Sequence, residues 1–201
     1  MKRPRGAIVP KREFFRRETV KVAKELLGHF LYIEKKGKTL GGRIVETEAY
    51  LYFDDPACHA ARGRTERNRT MFVAGGVAYV YFIYGVHYCL NIVTGPEGEG
   101  TAVLVRAIEP LEGIDGMRRN RRGIDDIHQL ANGPGKLTIA MGINREDDGA
   151  DLTKGHLRVF FDPEMLKHKP EIVTTTRVGI NQGTEKPLRF YLKGSKFISK
   201  K

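Results

Sequence analysis

The chain has 201 residues, enough for one domain with a self-sufficient hydrophobic core, and its two cysteines, Cys58 and Cys89, are too few for a disulfide framework or a Cys-rich zinc site. Its 35 Lys and Arg against 24 Asp and Glu give a formal charge of +11, which points to an anionic partner. No stretch approaches the roughly 20 consecutive apolar residues of a membrane span, and no apolar region follows the basic start Met1-Lys2-Arg3-Pro4-Arg5, so nucleic acid in an intracellular setting is the expected company rather than a membrane.

No repeat, low-complexity tract or Ser/Gly linker marks a boundary, so residues 1–201 read as a single domain with a basic N-terminal arm over about residues 1–12. After the arm, Val20, Val22, Ala23, Leu26 and Leu27 carry a helical period over residues 19–27, which Gly28 can close. Residues 31–33 and 42–49 read as strands. Residues 77–84 and 86–94, rich in Val, Ile, Tyr and Phe and meeting at Tyr84-Gly85, read as two antiparallel strands around a tight turn. Residues 102–108 add a strand, 114–122 a helix, and Gly133-Pro134-Gly135 before residues 136–141 a short helix entered through proline. Strands at 156–161, 172–176 and 188–192 complete an α+β fold, a curved antiparallel or mixed sheet with surrounding helices and a protruding hairpin.

Three constellations carry chemistry. In a strand, side chains alternate, so Glu46, Glu48 and Tyr50 share one face, and His59 follows in a loop behind the turn-forming Asp54-Asp55-Pro56. A carboxylate and a histidine suit hydrolysis, although spacing alone does not separate Glu46 from Glu48. Tyr79, Tyr81 and Ile83 share a face, with Val80 and Phe82 expected to be buried on the other, and a tyrosine pair near a carboxylate and a histidine makes a slot for a planar base. Tyr84, at the turn, is placed to wedge into a base stack. Arg62, Arg64, Arg67 and Arg69, with Arg118, Arg119, Arg121 and Arg122, form two basic clusters suited to tracking the phosphates of duplex DNA. Cys58 and Cys89 read as buried small hydrophobes.

These residues, together with Arg67-Asn68-Arg69, Met71-Phe72, Asn91, Leu104-Val105-Arg106-Ala107, Glu109-Pro110-Leu111-Glu112-Gly113, Gly133-Pro134-Gly135-Lys136-Leu137 and Arg177-Val178-Gly179, closely resemble the alkyladenine (3-methyladenine) DNA glycosylase family. The resemblance implies a monofunctional hydrolase, acting as a monomer without metal or cofactor, that flips a damaged purine out of duplex DNA and releases it. It assigns Glu48 as general base, Arg106 and the carbonyl of Val178 as groups that help hold the water, and Tyr50, His59 and Tyr81 as the base pocket. Asn91 would clash with the amino group of undamaged guanine, Tyr84 would intercalate, and Arg64, Arg67 and Arg69 would meet the DNA backbone. Two departures stand out from mammalian members: residues 179–185 form a shorter segment without their tryptophan, and His87 replaces a tyrosine. The absence of the long N-terminal extension of some eukaryotic members favours a prokaryotic, cytoplasmic and nucleoid-associated setting, with the nucleus as the alternative in a eukaryote. Competing readings are a magnesium nuclease using Glu46, Glu48, Asp54 and Asp55, and a non-catalytic binder of damaged DNA. A zinc deaminase lacks its Cys motif, and a phosphate loop at Gly133 lacks the Walker spacing.

Overall fold

A computed structural model describes residues 4–83 and 85–200; Tyr84, the candidate wedge, lies outside the described residues. The strands are β1 (Phe30–Lys35), β2 (Lys38–Tyr50), β3 (Ala78–Ile83), β4 (His87–Val93), β5 (Ala102–Glu112), β6 (Leu157–Phe160), β7 (Ile172–Thr175) and β8 (Arg189–Leu192). They form one sheet in the order β3-β4-β5-β2-β1-β6, with β8 also on β2 and β7 on β8. Every pairing between them is antiparallel, so of the two sheet types expected the purely antiparallel one is formed. The helices are α1 (Arg12–Phe15), α2 (Thr19–Glu25), α3 (Ile114–Asn120), α4 (Ile127–Leu130), α5 (Pro134–Met141) and α6 (Pro163–Lys167).

The sheet is organised by β2. Its long edge pairs with β5, while the opposite edge is shared, first by β1 against residues 38–43 and then by β8 against residues 46–48. The core lies between this sheet and α2 and α5: Val22, Ala23 and Leu26 from the α2 turn and Leu137, Ala140 and Met141 from α5 cluster with Ile44, Ala49, Leu90, Ile92, Val103, Val105 and Ile108. Glu18 starts α2 by accepting hydrogen bonds from the N–H groups of Val20 and Lys21. The arm is not free: Ala7 is buried and Ile8 bridges to Phe161 at the sheet edge.

Two irregularities set which side chains face the site. Residues 40 and 44 of β2 point into the core, and a regular strand would send Glu46 and Glu48 after them. The register shifts on both sides of Glu46 instead, with Val45 extra on β2 and Arg106 extra on β5. Beyond the shift, Thr47 and Ala49 take the core phase, Thr47 donating its hydroxyl to the Ala23 carbonyl at 2.9 Å, and Glu46, Glu48 and Tyr50 turn to the other face. The same switch on β5 leaves Val103, Val105 and Ile108 in the core and Leu104 and Arg106 opposite it.

The β3–β4 hairpin extends past β5, which pairs only with residues 91–93 of β4. Its turn closes with the Val86 N–H on the Ile83 carbonyl at 3.2 Å and Gly85 at φ +67°. One face of the hairpin, Ala78, Val80, Leu90 and Ile92, belongs to the core. Phe82, expected to be buried with Val80, is 46% exposed because the projecting tip has no sheet behind it.

Candidate active site

The other hairpin face looks into a cavity of about 610 Å³. Tyr79, Tyr81, Ile83, His87, Cys89 and Asn91 supply one wall, Leu104 and Arg106 of β5 and Tyr50 of β2 the base, the loop at residues 56–59 a second wall and residues 178–182 a third. Of the residues singled out in the sequence, the fold therefore brings Tyr50, His59, Tyr81, Asn91, Arg106 and Val178 to one place. Glu48 is fully buried immediately behind it. Arg64, Arg67 and Arg69 lie outside the lining on the exposed surface, where Arg67 holds the hairpin by donating to the Phe82 carbonyl at 3.0 Å and Arg69 pairs with Glu66. Arg62 reaches the lining instead.

The residues that hold Glu48, namely Tyr50, Arg106 and Val178, all line the cavity. Oε1 accepts from the Val178 N–H at 2.8 Å and faces Arg106 Nη1 at 3.1 Å; Oε2 accepts from the Tyr50 hydroxyl at 2.9 Å. Burial pushes the Glu48 carboxyl above the usual carboxylate range, and Arg106, the Val178 amide and the Tyr50 hydroxyl pull it back. Arg106 Nη1 also reaches the Val178 carbonyl at 3.4 Å. A carboxylate with raised basicity, a guanidinium and a backbone carbonyl converge here, a set of groups that can take a proton from water.

The walls are aromatic. Tyr81 meets the His59 ring edge-on with centroids 4.4 Å apart and stacks on Tyr79 at 5.3 Å. His59 Nδ1 lies 3.2 Å from the Tyr79 hydroxyl. Desolvation, helped by the charge of Arg67, lowers the His59 pKa, which favours a neutral ring that can donate from one nitrogen and accept at the other. The histidine is presented by a loop that Asn68 organises, its amide donating to the carbonyls of His59 and Gly63 at 2.9 and 3.0 Å. Asn91 is buried and oriented by a bond to the Tyr79 carbonyl at 3.2 Å. Cys58 and Cys89 are buried thiols in the lining, and burial raises Cys58 to about 11.

Gly133-Pro134-Gly135 is the entrance of α5, with Pro134 in its first turn, as the spacing implied. Gly135 is needed for close approach: a Cβ there would stand 2.8 Å from Cγ of His87. His87 Nδ1 is buried without a hydrogen-bond partner among the described residues, so this replacement touches the cavity wall as well as the hairpin.

Sequence reasoning missed the supports. Arg177 and Asp55 form a bidentate pair, 2.7 and 2.6 Å, with both side chains fully buried. The Arg177 guanidinium also covers the Tyr50 ring at 4.7 Å and donates to the Ala49 carbonyl at 3.1 Å, so it ties both sides of Glu48 together one residue before Val178. Glu46 is spent on Arg189, 2.6 Å, Arg106, 3.2 Å, and Ser199. Asp54 pairs with Lys186 at 2.6 Å. Glu46, Glu48 and Asp55 are thus each held by buried arginines, and the described residues include no group of three or more His, Cys, Asp and Glu that could hold a metal ion. No helix of the described residues is long and apolar enough to cross a membrane.

An antiparallel sheet that backs an aromatic slot with a buried, arginine-paired carboxylate defines a pocket equipped for a planar ring and for water activation. The model of the methylpurine-DNA glycosylase family matches residues 13–196. A protein of Methanoculleus marisnigri named "Putative 3-methyladenine DNA glycosylase" is 54% identical over 189 residues, covering 94% of this chain and 97% of its own length. Proteins of the same name from Carboxydothermus hydrogenoformans, 49% identical with 94% and 98% covered, and Francisella tularensis, 46% identical with 92% and 96% covered, are similar throughout. The chain belongs to the methylpurine-DNA glycosylase family and is a DNA glycosylase, a hydrolase of N-glycosyl bonds.

Proposed function

We propose that this chain, acting as a monomer, excises alkylated or deaminated purines, of the 3-methyladenine, 7-methylguanine, hypoxanthine and ethenoadenine class, from duplex DNA. The observation that carries the reading is the buried Glu48, held by Val178, Arg106 and Tyr50 directly behind a cavity walled by Tyr50, Tyr81 and His59. The target nucleotide is extruded into the cavity, at a lower unpairing cost where the base is damaged. Its ring stacks among the aromatic faces, and a methylated purine, being cationic, gains a cation–π attraction of roughly 1–2 kcal/mol. Water between Glu48, Arg106 and the Val178 carbonyl attacks C1′ as the bond to the base nitrogen breaks. Glu48 takes the water proton, and its negative charge stabilises the oxocarbenium-like sugar. A cationic base leaves readily, whereas hypoxanthine needs protonation. Asn91, fixed on the Tyr79 carbonyl and lining the cavity, is the side chain that would clash with the amino group of an undamaged guanine. Among the described residues no lysine lines the cavity, which favours water over an enzyme amine as nucleophile and hence base release without strand cleavage.

Duplexes carrying one hypoxanthine or one ethenoadenine, and DNA methylated to contain 3-methyladenine, are treated with the protein in EDTA and then with hot alkali. Strand breaks that need alkali are expected, and Glu48→Gln, which keeps shape but not basicity, is expected to slow them by about a hundredfold or more. In the active protein the acid limb of the pH–rate profile should lie above the ordinary glutamate range, since the rate rises as Glu48 ionises and burial raises its pKa. Tight binding without base release on all three substrates would refute the reading in favour of a damage-binding protein, and a borohydride-trapped protein–DNA adduct would refute hydrolysis by water.

A further inference from the structure

We propose that Ser199 is a positioning residue of the hydrolytic centre, through which segment 195–200 fixes the guanidinium of Arg106 against Glu48. The inference rests on the functional reading above and adds to it a side chain 93 residues beyond Arg106 in the chain.

After β8 the chain turns back towards the β2–β5 irregularity. Phe197 stacks on His128 of α4, centroids 4.8 Å apart and planes at 30°, and the following residues enter the buried ion cluster. The Ser199 N–H donates to Glu46 Oε2 at 2.5 Å, and its hydroxyl donates to Glu46 Oε1 at 2.8 Å. The same hydroxyl oxygen accepts from Arg106, 3.1 Å from Nη2 and 3.3 Å from Nε. Arg189 closes the far side, bonding Glu46 with Nε and the Lys200 carbonyl with Nη2. One hydroxyl thus bridges a carboxylate and a guanidinium that are both shielded from water, Glu46 at 0% and Arg106 at 6% exposure.

The geometry matters because Arg106 serves two carboxylates. Its Nε faces Glu46, and its Nη1 faces Glu48 and the Val178 carbonyl. Without the hydroxyl, Glu46 loses a donor and Nη2 an acceptor inside a dry cluster, where unmade hydrogen bonds are expensive. Both deficits are relieved by the guanidinium moving towards Glu46, and that motion withdraws it from Glu48. The charged and titratable groups facing Glu48 are Arg106 from β5, Glu46 and Tyr50 on its own strand, Cys89 from β4 and Arg177 from the segment after β7. Arg106 is the largest of those that favour ionised Glu48, so its retreat makes Glu48 harder to ionise.

The test compares the wild type, Ser199→Ala and Ser199→Thr by base release from the duplex substrates above under excess enzyme and across pH. Their affinity for a duplex carrying a stable abasic-site analogue is measured in parallel. Ser199→Ala should release base about ten- to a hundredfold more slowly at neutral pH, because small displacements of reacting groups cost that much. Its acid limb should move to higher pH, its DNA affinity should stay unchanged, and the hydroxyl retained in Ser199→Thr should restore both rate and profile. A Ser199→Ala protein with the wild-type rate and acid limb, or one slowed only through weaker DNA binding, overturns the proposal while leaving the glycosylase reading intact. A wild type that releases no base overturns both.

Discussion

Replacing Asp55 by alanine tests whether the wall of the cavity is held by charge. Asp55 accepts four hydrogen bonds, from Arg177 at 2.7 and 2.6 Å and from the N–H groups of Leu51 and Ala57 at 3.0 and 3.3 Å. Both partners of the ion pair are fully buried, so Asp55→Ala leaves a guanidinium without its ion-pair partner and, among the described residues, with only the Ala49 and Gly183 carbonyls, at 3.1 and 3.4 Å, to accept from it. Breaking such a pair from one side costs about 3–5 kcal/mol, against a total stability of roughly 5–15 kcal/mol for a folded protein. At about 2–4 °C per kcal/mol for a chain of this size, the melting midpoint should fall by about 6–20 °C. Urea unfolding followed by far-UV circular dichroism gives the free energy, and the double variant Asp55→Ala/Arg177→Met provides the control. Removing the stranded charge should recover stability, so the double variant should exceed the single one by about 2 kcal/mol or more. A loss below about 1 kcal/mol in Asp55→Ala, or losses that simply add in the double variant, would refute the argument that the pair is a dry, mutually dependent clamp.

Two further outcomes follow from individual side chains. His29 is 4% exposed, its Nδ1 accepts from the Asp162 N–H at 3.1 Å, and burial lowers its pKa from 6.5 to about 4. The neutral ring is the folded form, so its contribution is complete above pH 6.5 and is lost as pH falls towards 4, about 3 kcal/mol in all. Denaturation across that window should show the loss in the wild type and a flatter curve in His29→Asn, and equal slopes would contradict it. Asn91→Ala should raise the release of undamaged guanine relative to methylated guanine by roughly tenfold, measured by chromatography of bases freed from DNA, since a steric filter of this kind is worth about 1–3 kcal/mol. An unchanged ratio would remove Asn91 from the discrimination.

What the sequence makes legible depends on how locally each feature is encoded. The hairpin is legible because β3 and β4 alternate at period two around Gly85, and α5 because Pro134 stands at its entrance. Helices α1, α4 and α6 have four or five residues, too few to display a helical period, and they rest on tertiary packing. Residues 109–112 of β5 escape a local reading because their partner is the early half of β2, and Pro110, which has no N–H, is accommodated at a register shift. At the site, the shared face of Glu46, Glu48 and Tyr50 is visible in their spacing, but the division of labour between the glutamates is not. It is decided by Arg189 and Ser199 on Glu46 and by Val178 on Glu48, each 130 or more residues away in the chain. Asp55 looks like a turn residue for the same reason: its partner Arg177 is 122 residues distant.

The hairpin also writes two messages in alternate letters. Tyr79, Tyr81, Ile83, His87, Cys89 and Asn91, all at odd positions, line the cavity, and even ones such as Val80, Leu90 and Ile92 hold the molecule together. Exchanges at the half-buried Tyr81, Ile83 and His87 can therefore reshape the cavity with less effect on folding than exchanges at the buried Tyr79, Cys89 and Asn91. A single residue inserted within either strand would exchange the two faces for every position between it and the next register shift or turn, moving apolar core residues to the cavity and cavity residues to the core.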